Sequence, residues 1–179
     1  MGPEAEAPTP DAAVEPGPKP CTVDAGLLYC ESFEDISETT CGIEWKAKNG
    51  SALRIAGNAH GGTGFCRFCT NASSAQLTQT FSFTNQASYV LSAWVRMPTQ
   101  PDGGAPTNTA QLFVYAADAG ELARSNELAE VGPQEWILMQ ASVSTASGAV
   151  SELVAFFPGV YSANQGYCID IDDVTLAPK

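Results

Sequence analysis

Positive charge is scarce in this chain. Eight lysines and arginines face twenty aspartates and glutamates over 179 residues, for a formal charge of -12 with a single histidine. A surface so acidic repels a phosphate backbone, which excludes nucleic acid as a partner, and an anionic bilayer has nothing to attract. Long apolar runs are also missing. None approaches the ~18 residues a membrane span requires, so no transmembrane span is expected. The lone histidine, His60, leaves only one base for a serine or cysteine nucleophile, and no Gly-x-Ser-x-Gly precedes it. His60 stands in a His-Gly-Gly stretch and is expected to be a turn residue with an exposed ring. Acids are plentiful, among them Glu31, Glu34, Asp35, Glu38, Glu44, Glu121, Glu127, Glu130 and Glu135, but none falls in a strand-alternating Glu-x-Asp-x-x-Glu pattern. No base, nucleophile and oxyanion donor can be assembled, and the expectation is a protein that is not an enzyme.

What is present is a hydrophobic fraction of 44%, enough for a core, and six cysteines. Residues 1–20 hold six of the twelve prolines and no aromatic residue. Proline fixes φ and lacks an N–H, so this stretch is read as an extended Pro/Ala/Glu-rich disordered tether. Such a segment is similar to the spacer behind the lipid-bearing cysteine of bacterial surface lipoproteins. No basic and apolar leader precedes it, so an export signal is expected to have been removed or never to have existed. Residues 21–179 are read as a single domain.

From Cys21 onward the pattern is one of strands: short β-branched or aromatic runs of alternating polarity between Gly, Pro, Asn, Asp and Ser. The runs are 27–33, 52–56, 65–68, 77–83, 89–97, 110–116, 136–144, 153–157 and 168–176. In the fifth, Tyr89, Leu91, Ala93, Val95 and Met97 share one face. The one helix candidate is Gly120–Val131, with loosely spaced Leu122, Leu128 and Val131. About nine strands without βαβ alternation predict an all-β, antiparallel β-sandwich.

Cys66 and Cys69 form a Cys-x-x-Cys, but zinc requires a second close pair and a redox dithiol requires a following helix; neither is visible. The even count favours three disulfides and an oxidising compartment. Cys21–Cys30 is expected as a local loop. Cys168 is expected to bridge to Cys66 or Cys69, with Cys41 taking the other.

Read in order, the chain offers SFED (32–35), Trp45, HGGTGFCRF (60–68), YVLSAWVRM (89–97), AQLFVYAADAGE (110–121), EWILMQASV (135–143), VAFFPG (154–159) and YCIDIDDVTL (167–176). That order resembles the carbohydrate-binding modules of the galactose-binding-like jelly-roll group, especially those attached to xylanases and cellulases. The resemblance spans 32–176 and lies in the order of short motifs. Two departures are Glu44 rather than Gly before Trp45 and the heavy cysteine load. It implies a jelly-roll topology and a secreted or cell-surface setting, periplasmic or outer-membrane lipoprotein included. It also implies a structural calcium held by Ser32, Glu34 and Asp172 with a carbonyl from Gly61 or Gly62. Calcium takes 6–8 hard oxygens, and a cation would relieve repulsion among Asp170, Asp172 and Asp173; a solvated strand face is the alternative. Trp45 and Trp136 sit where the group uses tryptophan for packing.

Sugar-binding modules stack aromatic rings on pyranose faces while amides and guanidinium groups bond the hydroxyls. The candidate ligand-binding set is Trp94 and Arg96 with Gln111, Phe113 and Tyr115, which share one exposed face if their strands are neighbours. Tyr161 and Tyr167 are candidates at a loop rim. The expected partner is a polysaccharide or other glycan. The alternatives are a surface lipoprotein or adhesive domain binding a protein, or a concanavalin- or laminin-G-like lectin sandwich.

Overall fold

The computed structural model describes residues 21–22, 26–35, 40–42, 44–70, 75–81, 88–98, 109–116, 120–125, 135–144, 153–159 and 168–179. The tether, Tyr161 and Tyr167 lie outside the described residues. Eleven strands and no helix are found among the described residues. They are β1 (Tyr29–Glu31), β2 (Lys46–Lys48), β3 (Gly50–Ala56), β4 (Gly64–Thr70), β5 (Gln76–Phe81), β6 (Ser88–Arg96), β7 (Thr109–Ala116), β8 (Gly120–Arg124), β9 (Ile137–Ser144), β10 (Leu153–Gly159) and β11 (Cys168–Pro178).

Two antiparallel sheets result. One runs β3-β4-β11-β6-β9 with β1 also on β11; the other runs β2-β5-β10-β7-β8. The chain passes repeatedly from one sheet to the other, the winding of a jelly roll. Strand β11 is the axis of the larger sheet. Along one edge it meets β4 at 168–171 and β1 at 174–176, and along the other it meets β6. Its ladder with β6 is irregular between Asp172 and Thr175, and Asp173 there has φ 45°.

Period-2 alternation places the core between the sheets. Tyr89, Leu91, Ala93 and Val95 of β6 are buried, and Met97 follows them inward, while Val90, Ser92 and Trp94 lie on the other side, part-exposed. Phe68, Ile171, Met139, Leu77, Leu112 and Val114 fill the same core from the other strands. Each such side chain contributes roughly 1.5–3 kcal/mol on burial. Trp45 belongs to this core, packed 5.9 Å from Phe33.

All six cysteines are paired as Cys21–Cys30, Cys41–Cys66 and Cys69–Cys168. The last pair joins directly opposed residues of β4 and β11.

The helix expected over Gly120–Val131 is not formed at its start. Gly120–Arg124 is β8, the outer strand beside β7. Its loosely spaced apolar residues gave no continuous helical stripe, and the sheet edge of β7 supplies backbone partners instead. Strand β2, Lys-Ala-Lys, had no apolar signal because all three residues are exposed.

Candidate functional site

The expected ligand-binding set does not form one face. Trp94 and Arg96 lie on β6 in the larger sheet, and Gln111, Phe113 and Tyr115 lie on β7 in the smaller one. Residue parity told which side of a strand each faces, but not which sheet the strand joins. Both sets point away from the core, on opposite sides of the sandwich.

On the larger sheet the loop 57–63 folds back over the outward residues. His60 stacks on Trp94 with ring centroids 3.8 Å apart, and its Nδ1 is 2.8 Å from Asp173 Oδ2. Its side chain is only 16% exposed, so the expected exposed ring is corrected. Arg96 is buried: Nε and Nη2 donate to Asp170 at 3.0 and 2.8 Å, and Nη1 donates to the Asn58 carbonyl. Arg67 donates to the same carboxylate through Nε at 2.7 Å and Nη2 at 3.0 Å, which raises the Arg67 pKa. Asp170 is wholly buried between the two guanidinium groups. The solvated strand face considered for Asp170 and Asp172 is thereby excluded. Trp136, expected as core, packs here instead, under the Arg96 guanidinium at 4.3 Å and edge-on to Phe65. Arg96 is therefore spent inside the protein and offers no hydroxyl contact.

The corner expected to hold calcium grips the same loop. Asp172 Oδ2 accepts from the His60 and Gly61 N–H groups at 2.8 and 3.0 Å, and Oδ1 accepts from the Asp173 N–H. Glu34 accepts from the Thr63 N–H and hydroxyl and from the Gly64 N–H. Burial pushes the Asp172 carboxyl up to about 7, against the lowering pull of its N–H donors. Asp173 Oδ1 accepts from the Cys21 N–H, so each clustered acid has a protein partner. Among the described residues no three acidic, His or Cys side chains are grouped to hold a metal. As placed, the expected ligand carboxylates Glu34 and Asp172 both accept from N–H groups of the 60–64 turn.

The outward face of the smaller sheet is different. Phe113 and Tyr115 are half-buried with rings 6.0 Å apart and 27° from parallel. Arg124 of β8, opposite Phe113 in the ladder, carries its guanidinium 5.4 Å over that ring. Gln111 precedes them on the same parity and donates to the Ser125 carbonyl. Across the sheet, exposed Lys46 and Lys48 of β2 pair with Thr78 and Gln76 of β5, and Thr78 pairs in turn with Ala155 of β10. Two stacked aromatics thus form a platform on this outward face with the Gln111 amide and the Arg124 guanidinium beside them, while Thr78 and Lys46 lie two and three strands away from β7. On this face the sequence reading named Gln111, Phe113 and Tyr115 and did not name Lys46, Lys48, Gln76, Thr78 or Arg124. Their polarity reads as ordinary surface until the register places them on this face.

No protein-family model matches the chain, and no curated protein matches it in sequence. Solved structures do match. The xylan-binding domain CBM22-1 of Paenibacillus barcinonensis Xyn10C is 17% identical with TM-score 0.59, covering 85% of this chain and 94% of its own. The C-terminal family 22 carbohydrate-binding module of Clostridium thermocellum Xyn10B is 14% identical with TM-score 0.56, covering 86% and 94%. A cyclase from Fischerella sp. TAU is 14% identical with TM-score 0.63, covering 83% and 94%. At such identities the likeness is one of fold. The chain has the jelly-roll fold of these carbohydrate-binding modules, the group its motif order resembles, and that fold carries unrelated activities.

Proposed function

We propose that this chain is a non-catalytic glycan-binding module that holds a polysaccharide against the outward face of its smaller sheet. The observation that carries the reading is the Phe113–Tyr115 pair, exposed in part on a sheet face, with Gln111 on the same strand, Arg124 over the Phe113 ring, and Thr78 and Lys46 farther across the same face. Aromatic faces supply dispersion and CH–π contact to the apolar side of a sugar, and the polar ring around them orients hydroxyls. The xylan-binding neighbours support a polysaccharide as the ligand. His60, the only histidine, is stacked on Trp94 of β6 and bonded to Asp173 of β11, where it ties the loop to the sheet. Three disulfides support a secreted or cell-surface setting.

Affinity gel electrophoresis on xylan and a panel of other polysaccharides tests the reading. Retardation by at least one polymer, lost in Phe113→Ala and Tyr115→Ala at unchanged melting temperature, is the expected result. Absence of retardation on every polymer refutes it and leaves a surface protein as partner.

Calcium is a separate proposal that rests on the resemblance. Ser32, Glu34, Gly61 and Asp172 would hold it, the two carboxylates through lone pairs not given to their N–H donors. An unmoved melting temperature on adding calcium or a chelator removes this proposal.

A further inference from the structure

Away from the sheet face, a cavity of about 480 Å³ opens between the segment after β1, Gly42, Glu44 and Trp45, and β3. Its walls include Glu31, Glu34, Asp35, Glu44, Trp45 and Arg54. No residue of the Phe113 platform reaches it. The volume lies in the range of small-molecule sites, ~300–1,000 Å³.

Arg54 decides its chemistry. The side chain is only 5% exposed, Nη1 donates to the Asp35 carbonyl, and Nη2 lies 3.9 Å from Glu31 Oε1. Its Nε is buried and has no partner. The guanidinium nonetheless forms part of the cavity wall, which it shares with the carboxylates of Glu31, Glu34, Asp35 and Glu44. Glu44 is exposed and held on one oxygen by Gln79 Nε2 at 2.7 Å; Glu31 accepts from the Phe33 N–H at 2.8 Å. A carboxylate has about four lone-pair sites, and the Gln79 bond takes one of those on Glu44.

The combination selects by exclusion. An anion meets the acids, and a bare cation meets the guanidinium in the wall. A hydrocarbon would strip water from all of them without return. A neutral polyol satisfies both kinds of group, because each hydroxyl accepts from a guanidinium N–H and donates to a carboxylate. Trp45 adds an apolar wall, and its indole N–H is tied to the Tyr29 hydroxyl at 3.2 Å.

We propose that this cavity is a second saccharide site, which takes a neutral mono- or disaccharide unit end-on, independently of the sheet platform. Arg54 and Glu44 are its hydroxyl-binding pair.

The test is titration of the whole protein with xylose, arabinose, galactose and xylobiose, followed at the Trp45 indole N–H by nuclear magnetic resonance. Glucuronate and calcium chloride serve as the charged probes. A saturable shift with at least one neutral sugar is expected, weakened about tenfold or more in Glu44→Gln and in Arg54→Lys and retained in Tyr115→Ala. Glu44 is exposed, so its variant keeps the test open if Arg54→Lys fails to fold. A shift with calcium or glucuronate alone overturns the proposal. So does a sugar response lost in Tyr115→Ala but kept in Glu44→Gln, and so does no response to any sugar. Polymer retardation on the sheet face is read separately, so either site can fail without the other.

Discussion

Replacing Asp170 with asparagine tests whether Arg96 belongs to the scaffold or to a ligand. The carboxylate is fully buried and takes two donors from Arg67 and two from Arg96, whose own side chain is 5% exposed. The amide keeps the volume of the carboxylate, so no cavity confuses the result, but it removes the negative charge that two guanidinium groups share. Breaking a buried pair in this way costs ~3–5 kcal/mol, since the remaining charge is left uncompensated. At ~2–4 °C per kcal/mol for a domain of this size, the melting temperature should fall by roughly 6–20 °C. Arg67, with a side chain 34% exposed, is the internal control. Solvent screens it, so Arg67→Met should cost less, about 1 kcal/mol. Thermal and urea melts of the three proteins give the numbers, and polysaccharide retardation of Asp170→Asn below its melting point should match the parent. A loss below ~1 kcal/mol for Asp170→Asn, or lost retardation in a folded Asp170→Asn protein, would refute the assignment of this cluster to the scaffold.

Further outcomes follow from the same structure. Opening Cys69–Cys168, separated by 99 residues, should cost about 4–5 kcal/mol in urea melts under the chain-entropy account, against about 2.6 for Cys21–Cys30, separated by nine. Equal losses would show that loop length does not set the effect. The Asp172 carboxyl titrates at about 7 when folded against ~3.9 unfolded, so the folded form binds the extra proton between these values. Its stabilising contribution is full below pH ~4 and lost as the pH rises through about 7, and the stability difference between the parent and Asp172→Asn should track that loss. Bound calcium would hold the carboxylate ionised and reverse the slope. At Gly64 a Cβ would sit 2.3 Å from the Phe33 carbonyl oxygen, so Gly64→Ala should lower the melting temperature by several degrees. An unchanged value would mean that β4 can shift freely there.

The legible parts of this protein were those written in local pattern. The alternation from Tyr89 to Met97 gave β6 and its buried face, and even cysteine count with β-rich surroundings gave the disulfide framework. The motif order pointed to the jelly roll that the structure shows. Pairing between distant segments was not legible. Asp170, Asp172 and Asp173 look like mutual repulsion in sequence, because the groups that answer them, Arg67, Arg96 and the N–H groups of the 60–61 turn, are 74 or more residues away. For the same reason Trp94 and Tyr115 appeared to share a platform. Period-2 parity is a property of one strand, while the sheet each strand enters depends on the winding of the whole chain. Gly120–Arg124 was misread because an edge strand needs only one neighbour and few apolar residues.

The position of β11 bears on how this protein is made. Strands β4 and β6 flank it but do not touch one another in the ladder order, so the larger sheet stays split until residues 168–178 have emerged. A nascent chain ending short of that point presents two open strand borders and a Cys69 thiol whose partner has yet to arrive. During biosynthesis Cys66 is its near neighbour in the Cys-x-x-Cys, and oxidation between them would strand Cys41 and Cys168. Early closure of Cys41–Cys66 avoids that trap, and a premature Cys66–Cys69 bond would have to be reopened by thiol exchange.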